Sequence, residues 1–456
     1  MSLLRAELRL ILRSRLAAAS LALLFVLSAL SIWSGLSAVG RQEATIARVA
    51  ADQARDLAAV AKEYGKPDGQ AGYAAYYTFL LTHDHPSPIA FLALGQRDVQ
   101  PAVLRVRALS LQQQLYESET LNAEQALPGA FDFAFVVIYL APLIVIALTH
   151  DLITGERESG RLRLLLSMPG SGLWRRRIGL RYLLVALALL IPAGTALVAT
   201  AAPTLIGVGI VTVTAVYIAF WFGLSLLVAS RVRASTTAAA AALGCWIALT
   251  LLLPTLANAG IARAIPVGKG IDLTLAQREI VHHGWDIPKS DTFDRFLATH
   301  PEWRGHETFE GRFHWKWLFA MHQVGDEAVA PQVAAYRASL LERERRTTNL
   351  GWLLPNVAAQ GILHRLADTD LVAQHDYQDS IGTFHKELRV FFYPYLFLDR
   401  PFTHADFDLL PRYRARTGTA SWPASPMILL LAVTALVLTA GALQMQRIAR
   451  DAARQG

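Results

Sequence analysis

The 49 residues from Tyr182 to Ser230 carry no charged side chain, and arginines close the run at both ends. Arg175, Arg176, Arg177 and Arg181 precede it; Arg231 and Arg233 follow it. A helix needs about 20 apolar residues to cross roughly 30 Å of hydrocarbon. The run therefore folds as two membrane spans joined by a tight turn near Pro203. Both of its outer ends are anchored on one basic side, which the arginine excess assigns to the cytoplasm.

Further uncharged stretches at Leu16–Gly40, Phe133–Thr149, Ala234–Ala262 and Thr417–Gln446 bring the expected number of spans to six. On that layout the inner segments hold 16 arginines and five acids (Glu7, Asp151, Glu156, Glu158, Asp451). With a chain total of +7, the outer segments sum to −4, and all six lysines fall outside. The pI near 9.6 thus reports membrane orientation, and nucleic-acid binding is not needed to explain it. The first run is longer than a signal-peptide core and ends in a weak cleavage site, Leu36-Ser37-Ala38, so it reads as an uncleaved span with Trp33 at its outer interface. Before it, Arg5, Arg9 and Arg13 recur every four residues opposite Leu4, Leu8, Ile11 and Leu12. That is an amphipathic helix lying along the membrane surface.

Two long segments lie outside. Residues 41–130 begin with a 3.6-residue period at Ile46, Val49, Ala50, Leu57, Val60 and Ala61, broken only by Gln53. Glycine and proline interrupt the chain between Tyr64 and Pro88, and a second helix is expected over Val103–Glu124. Residues 263–422 are enough for a small core of their own, with amphipathic helices expected at Val333–Arg345 and Leu371–Phe392. Trp285, Trp303, Trp315, Trp317, Trp352, Phe391, Phe392, Tyr393 and Tyr395 are expected to build that core; a substrate-facing surface is the alternative. Cys245, the one cysteine, lies in the fifth span, so no intrachain disulfide can form. Twelve of 13 histidines lie outside, but their spacing is irregular, and no metal site is expected even around His306 and His314 near Glu307 and Glu310. Small residues on the fifth span (Ser235, Ala239, Ala242, and Ala238, Ala241, Gly244) offer faces for close packing against a second subunit or against other spans.

The spans contain no ionisable residue of the kind that marks an ion-coupled pathway. No Gly-x-x-x-x-Gly-Lys-Ser/Thr loop is present to cradle nucleotide phosphates; Val267-Gly268-Lys269-Gly270 has Arg263 where the first glycine belongs. Energy, if used, must come from another subunit. The inner loop at 150–181 shows where one would dock. There a charged turn with two glycines, Gly155-Glu156-Arg157-Glu158-Ser159-Gly160, enters a short apolar run that ends at Pro169. Leu162, Leu165 and Leu166 share one face of a short helix, with Leu164 flanking it. An apolar face rimmed by charge marks a partner surface, although packing against lipid would cover it too.

Glu156-Arg157-Glu158-Ser159-Gly160, then Leu162, Leu165-Leu166 and Pro169, resembles the coupling segment of ABC-2-type ABC transporter permeases. Arg161 stands where that family has threonine, and Gly170-Ser171-Gly172 replaces its apolar-Ser-Arg end. The six-span layout agrees with the family. The outer segments, with Phe131-Asp132-Phe133-Ala134-Phe135, Leu353-Leu354-Pro355 and Asp406-Phe407-Asp408-Leu409-Leu410-Pro411, resemble a bacterial branch with large extracytoplasmic insertions. The resemblance implies an all-α polytopic membrane protein. Its expected parts are an elbow helix and first span (1–40), a first insertion (41–130), spans two to five with the coupling loop (131–262), a second outer domain (263–422), and a sixth span with a basic tail (423–456). It also implies a bacterial inner-membrane permease with cytoplasmic termini, paired with an identical or homologous permease. Each permease would grip a cytoplasmic ATP-binding subunit through Glu156, Glu158, Gly160, Leu162, Leu165, Leu166 and Pro169. The chain itself would bind no cofactor and catalyse nothing; ATP would sit in the partner. Export is the expected activity, and the alternative is an ATP-driven mechanical complex that assists extracytoplasmic protein or metal-site assembly without substrate passage.

Overall fold

The computed structural model describes residues 3–116, 129–167, 173–268, 270–415 and 422–454. Helix α1 (Leu3–Arg13) stops at Ser14, whose hydroxyl accepts the Ala17 N–H at 3.4 Å and opens α2 (Arg15–Tyr64). At 1.5 Å per residue, the 50 residues of α2 form a rod about 75 Å long, of which roughly 36 Å lies beyond Gly40. The first span and the periodic stretch after it are therefore one continuous helix. It ends at Gly65, where α3 (Ala71–Tyr77) and strand β1 (Leu80–His83) follow.

The expected helix over Val103–Glu124 does not form as such. Val103–Val106 is strand β2, antiparallel to β1 with Leu80 opposite Val106, and only Leu111–Tyr116 is helical (α4). Residues 117–128 of that expected helix lie outside the described part. The second span runs from Phe133 to Glu158. It enters through a π-turn at Val136–Leu140, continues as α5 (Ala141–Thr149), and ends in α6 (Thr154–Glu158). After the short α7 (Leu162–Ser167) come α8 (Leu173–Ala199), α9 (Thr204–Arg231) and α10 (Ser235–Ala264). Pro203 stands at the turn between α8 and α9, as the length of the uncharged run requires.

Beyond the membrane the chain forms α11 (Gly270–His283), α12 (Lys289–Thr299), α13 (Trp315–Leu350), α14 (Pro355–Ala367), α15 (Leu371–Phe397) and α16 (His404–Asp408). It returns as α17 (Ala424–Arg454). The expected helices at Val333–Arg345 and Leu371–Phe392 fall inside α13 and α15. Six helices are long and apolar enough to cross a membrane, so this is a multi-pass, all-α membrane protein whose described sheet is one two-stranded hairpin.

The bundle core is built by Leu24 and Ile32 of α2, Val145 of α5, Leu189 of α8, Tyr217 and Trp221 of α9, and Leu430 of α17. Two pieces that are not spans join it at the end opposite the arginines. One is the segment Ile89–Leu94; the other is α14, through Ala359, Ile362, Leu363 and Leu366. Gly35 makes the first of these possible, because a Cβ there would stand 1.9 Å from the Phe91 carbonyl oxygen. Asp132 locks the same segment to the second span. Its carboxylate accepts the Phe135 N–H and the Leu94 N–H, each at 2.8 Å, and burial pushes its pKa up to about 6.

The outer segment 263–422 does not hold its core alone. Phe296, Phe319, Tyr377, Phe392 and Phe397 pack with Ala74, Leu80, Val106 and Leu109 from the first insertion. A buried polar network staples the two together. Arg389 donates to the Ala108 and Leu109 carbonyls, both at 3.0 Å, and to Asp326, which accepts the Leu111 N–H at 2.9 Å. One domain thus rises from the bundle on α2.

A wired loop at the basic end of the bundle

The charged turn at the end of the second span is held by its own chain. Arg157 extends from α6 to the end of α9, where a helix leaves carbonyls without intrahelical partners. It donates to the carbonyls of Val232 and of Ser230, the latter at 3.4 Å. Its neighbour Glu158 reaches the start of α10, accepting the Ser235 N–H at 2.8 Å and the Ser235 hydroxyl at 2.9 Å. Orphan N–H groups and the positive end of the helix dipole make that a natural seat for a carboxylate. Two adjacent residues therefore grip the last turn of the fourth span and the first turn of the fifth.

Glu156 faces the other way. It accepts from Arg177 Nη1 of α8 at 2.8 Å and from Arg161 Nε at 3.0 Å. Arg177 Nε reaches Glu7 of α1 at 3.1 Å, so one guanidinium bridges the elbow helix, the loop and the third span. Glu7, Glu156 and Arg177 side chains are only 10 %, 15 % and 17 % exposed, so water screens these pairs weakly.

Gly160 turns the chain from α6 into α7 at φ +71°, a left-handed conformation that glycine adopts without strain. In α7, Leu162 points inward and is buried with Ile153, Leu226, Ala229 and Ala238, while Met445 and Ile448 of α17 close over the same cluster. Leu165 is half-buried and lines a cavity of about 680 Å³ against Ile11, Leu152 and Arg177. Leu164 is 62 % exposed. Among the described leucine side chains of α7, Leu164, read as flanking, is the one most exposed, and Leu162 belongs to the chain's own core. Leu166 lies in the same helix, and Pro169 lies outside the described residues. Both acids find partners within the chain, Glu156 on α8 and Glu158 at the first turn of the fifth span.

The sequence does not show that Arg177 and Ser235 are partners of the loop acids, that Glu7 shares Arg177, or that Arg157 of the turn reaches the end of α9. Glu7 carried a signal, being the one acid among the arginines of the elbow. Of the small-residue faces on α10, Ala238 and Ala242 are buried against their own bundle, whereas Gly244 is exposed. Among the described residues no three His, Cys, Asp or Glu side chains come together as a metal-ligand set.

Residues 1–277 match the family described as ABC-2 family transporter protein, and residues 271–416 match a domain of unknown function, DUF3526. Comparison with curated proteins and with solved structures gives no match.

Proposed function

The chain belongs to the ABC-2 transporter family, and from that premise we propose that it is the permease subunit of an ATP-driven exporter. The basic end and both termini face the cytoplasm of a bacterium, and the domain on α2 projects outward. Two such subunits, identical or homologous, pair in the inner membrane, and each holds a separate ATP-binding subunit through the 150–181 loop. ATP stays in that partner, and this chain needs no cofactor.

The observation that carries this reading is the wiring of the loop. Any displacement of α6 and α7 pulls on α1, α8, α9, α10 and α17 through the named contacts. Leu164 supplies the apolar contact with the half-buried Leu165 beside it, Leu166 belongs to the same short helix, and Glu156, Glu158 and Gly160 fix the angle at which the helix is presented. Burying one leucine is worth about 1.5–3 kcal/mol, so Leu164→Asp releases the ATP-binding subunit while the permease stays folded. Glu158→Lys leaves binding in place but frees the start of α10, and so lowers substrate-stimulated hydrolysis more than affinity. Co-purification of the two subunits and ATPase activity in liposomes test both statements. Normal recovery and normal stimulated hydrolysis for both variants would refute the docking assignment.

The unbroken rod of α2 favours a second reading, in which hydrolysis reshapes the outer domain without passing a substrate. Solute flux in the same liposomes separates the two readings, because the mechanical complex hydrolyses ATP without flux.

A further inference from the structure

The outer domain buries most of its aromatic side chains; Trp352, expected in its core, is 66 % exposed, and one connected group also stays at the surface. Tyr73, Tyr77, Phe313 and Trp285 are 41 %, 43 %, 43 % and 52 % exposed. They form a continuous strip. Tyr64 stacks on Tyr77 and Tyr73 with ring centroids 5.2 and 5.6 Å apart, and Tyr73 meets the edge of Trp315 at 4.8 Å. Trp315 meets Phe313 at 5.2 Å, and Phe313 stacks parallel to Trp285 at 6.3 Å. Gly72 seats the indole: a Cβ there would fall 1.8 Å from the Trp315 ring.

Beside the strip is a cleft of about 450 Å³, lined by Asp68, Gln70, Tyr73, Trp315, Asp399 and Arg400 among others. Gln70 orients the indole by accepting its N–H at 3.3 Å. Asp399 is held by Lys316 at 2.8 Å and still has 57 % of its side chain exposed. Asp68, Asp399 and Arg400 line the cleft, and Lys316, buried behind Asp399, supplies the second positive charge, so the formal charges there cancel. Burial also pulls the His314 imidazole, whose Nε2 lies 3.3 Å from Asp399, below its usual pKa.

Three features narrow the occupant. The strip begins at the end of α2, roughly 36 Å beyond the first span, so the bilayer cannot reach it. A site without net charge gives no advantage to a cationic or anionic ligand. Aromatic faces beside planar donors and acceptors suit a molecule with apolar C–H faces and a hydroxylated rim. We propose that this cleft and strip bind a neutral glycan, with sugar rings stacked on Tyr73 and the Trp315–Phe313 pair and hydroxyls bonded to Asp68, Asp399 and Arg400. The site stands apart from the loop at the basic end, and its occupancy does not depend on the ATP-driven reading.

The test uses the full chain in nanodiscs with a panel of neutral oligosaccharides built of hexose or N-acetylhexosamine units. Tryptophan fluorescence and saturation-transfer NMR follow binding. At least one member should bind saturably with Kd below about 1 mM, and Tyr73→Ala should weaken it at least about tenfold. Arg400→Ala, at an exposed position, should do the same and serves if Tyr73→Ala fails to fold; Leu164→Asp, at the far end of the molecule, should leave binding unchanged. No saturable binding by any panel member, or equal binding by Tyr73→Ala and Arg400→Ala, overturns the proposal. A protein adduct captured in cells by a photo-crosslinker at position 73, with no glycan binding, makes the strip a protein-docking face and overturns it too.

Discussion

Replacing Arg177 with methionine isolates the bridge between the elbow, the loop and the third span. The guanidinium contacts Glu156 at 2.8 Å and Glu7 at 3.1 Å. Breaking a fully buried pair costs about 3–5 kcal/mol, and an exposed pair about 0–1. These side chains are mostly buried, but Arg161, itself 66 % exposed, goes on neutralising Glu156. The net cost is then about 2–3 kcal/mol, paid as weaker docking of α1 and α6. Hydrogen exchange by mass spectrometry reads that local opening directly. Amides of α1 and α6 should exchange roughly 30- to 150-fold faster in Arg177→Met, while those of α13 and α15 in the outer domain stay unchanged. Removing all three charges as Glu7→Gln/Glu156→Gln/Arg177→Met should recover most of the protection, since a neutral triad leaves no unpaired carboxylate. Unchanged exchange in the single variant, or a triple variant no better than the single, would refute the reasoning.

Gly35→Ala should separate segment 89–94 from the first span, at about 1–3 kcal/mol of overpacking, because its Cβ would collide with backbone that cannot rotate away; thermal unfolding in detergent checks this. His322, on α13, is half-buried near Arg389 and Arg107, and desolvation first, then those charges, pull its pKa to about 3. The unfolded chain takes up that proton below about 6.5 and the folded chain does not, so this contribution to stability is lost as pH falls through that window. Between pH 7.5 and 5 the native protein should lose about 2 kcal/mol more stability than His322→Gln. An equal loss in both would place the histidine in water. Asp132 works with the opposite sign: its raised pKa means that ionising a buried carboxyl lowers stability as pH rises through roughly 4 to 6. Asp132→Asn should therefore flatten that part of the profile while keeping one oxygen for its amide partners.

The spans were readable because membrane crossing is a one-dimensional property: a charge-free run of known length decides each of them, and the summed arginine excess decides the side. Helicity at Ile46–Ala61 was equally visible, but not its continuity with the first span, since Gly40 reads as a boundary and the structure carries the helix through it. The strand at Val103–Val106 was missed because its partner lies 20 residues away, and a four-residue strand exists only through that pairing. The shared outer core rests on contacts such as Arg389 to Leu109, 280 positions apart, which no local pattern encodes. Helix α14 shows helical apolar spacing at Ala359, Ile362, Leu363 and Leu366, yet its 13 residues are too few for a span, and nothing local says that it enters the bundle. At the loop, the motif residues stood out by composition. Their partners did not, because charge pairing between segments is set by the fold.

A photo-reactive residue placed at position 164, in the complex with the ATP-binding subunit, tests the central claim most directly. The account predicts an adduct of the two subunits on illumination, with a yield that changes when ATP is added, and no such adduct from position 73 in the outer domain. No adduct from position 164 in an intact, hydrolysing complex would contradict it.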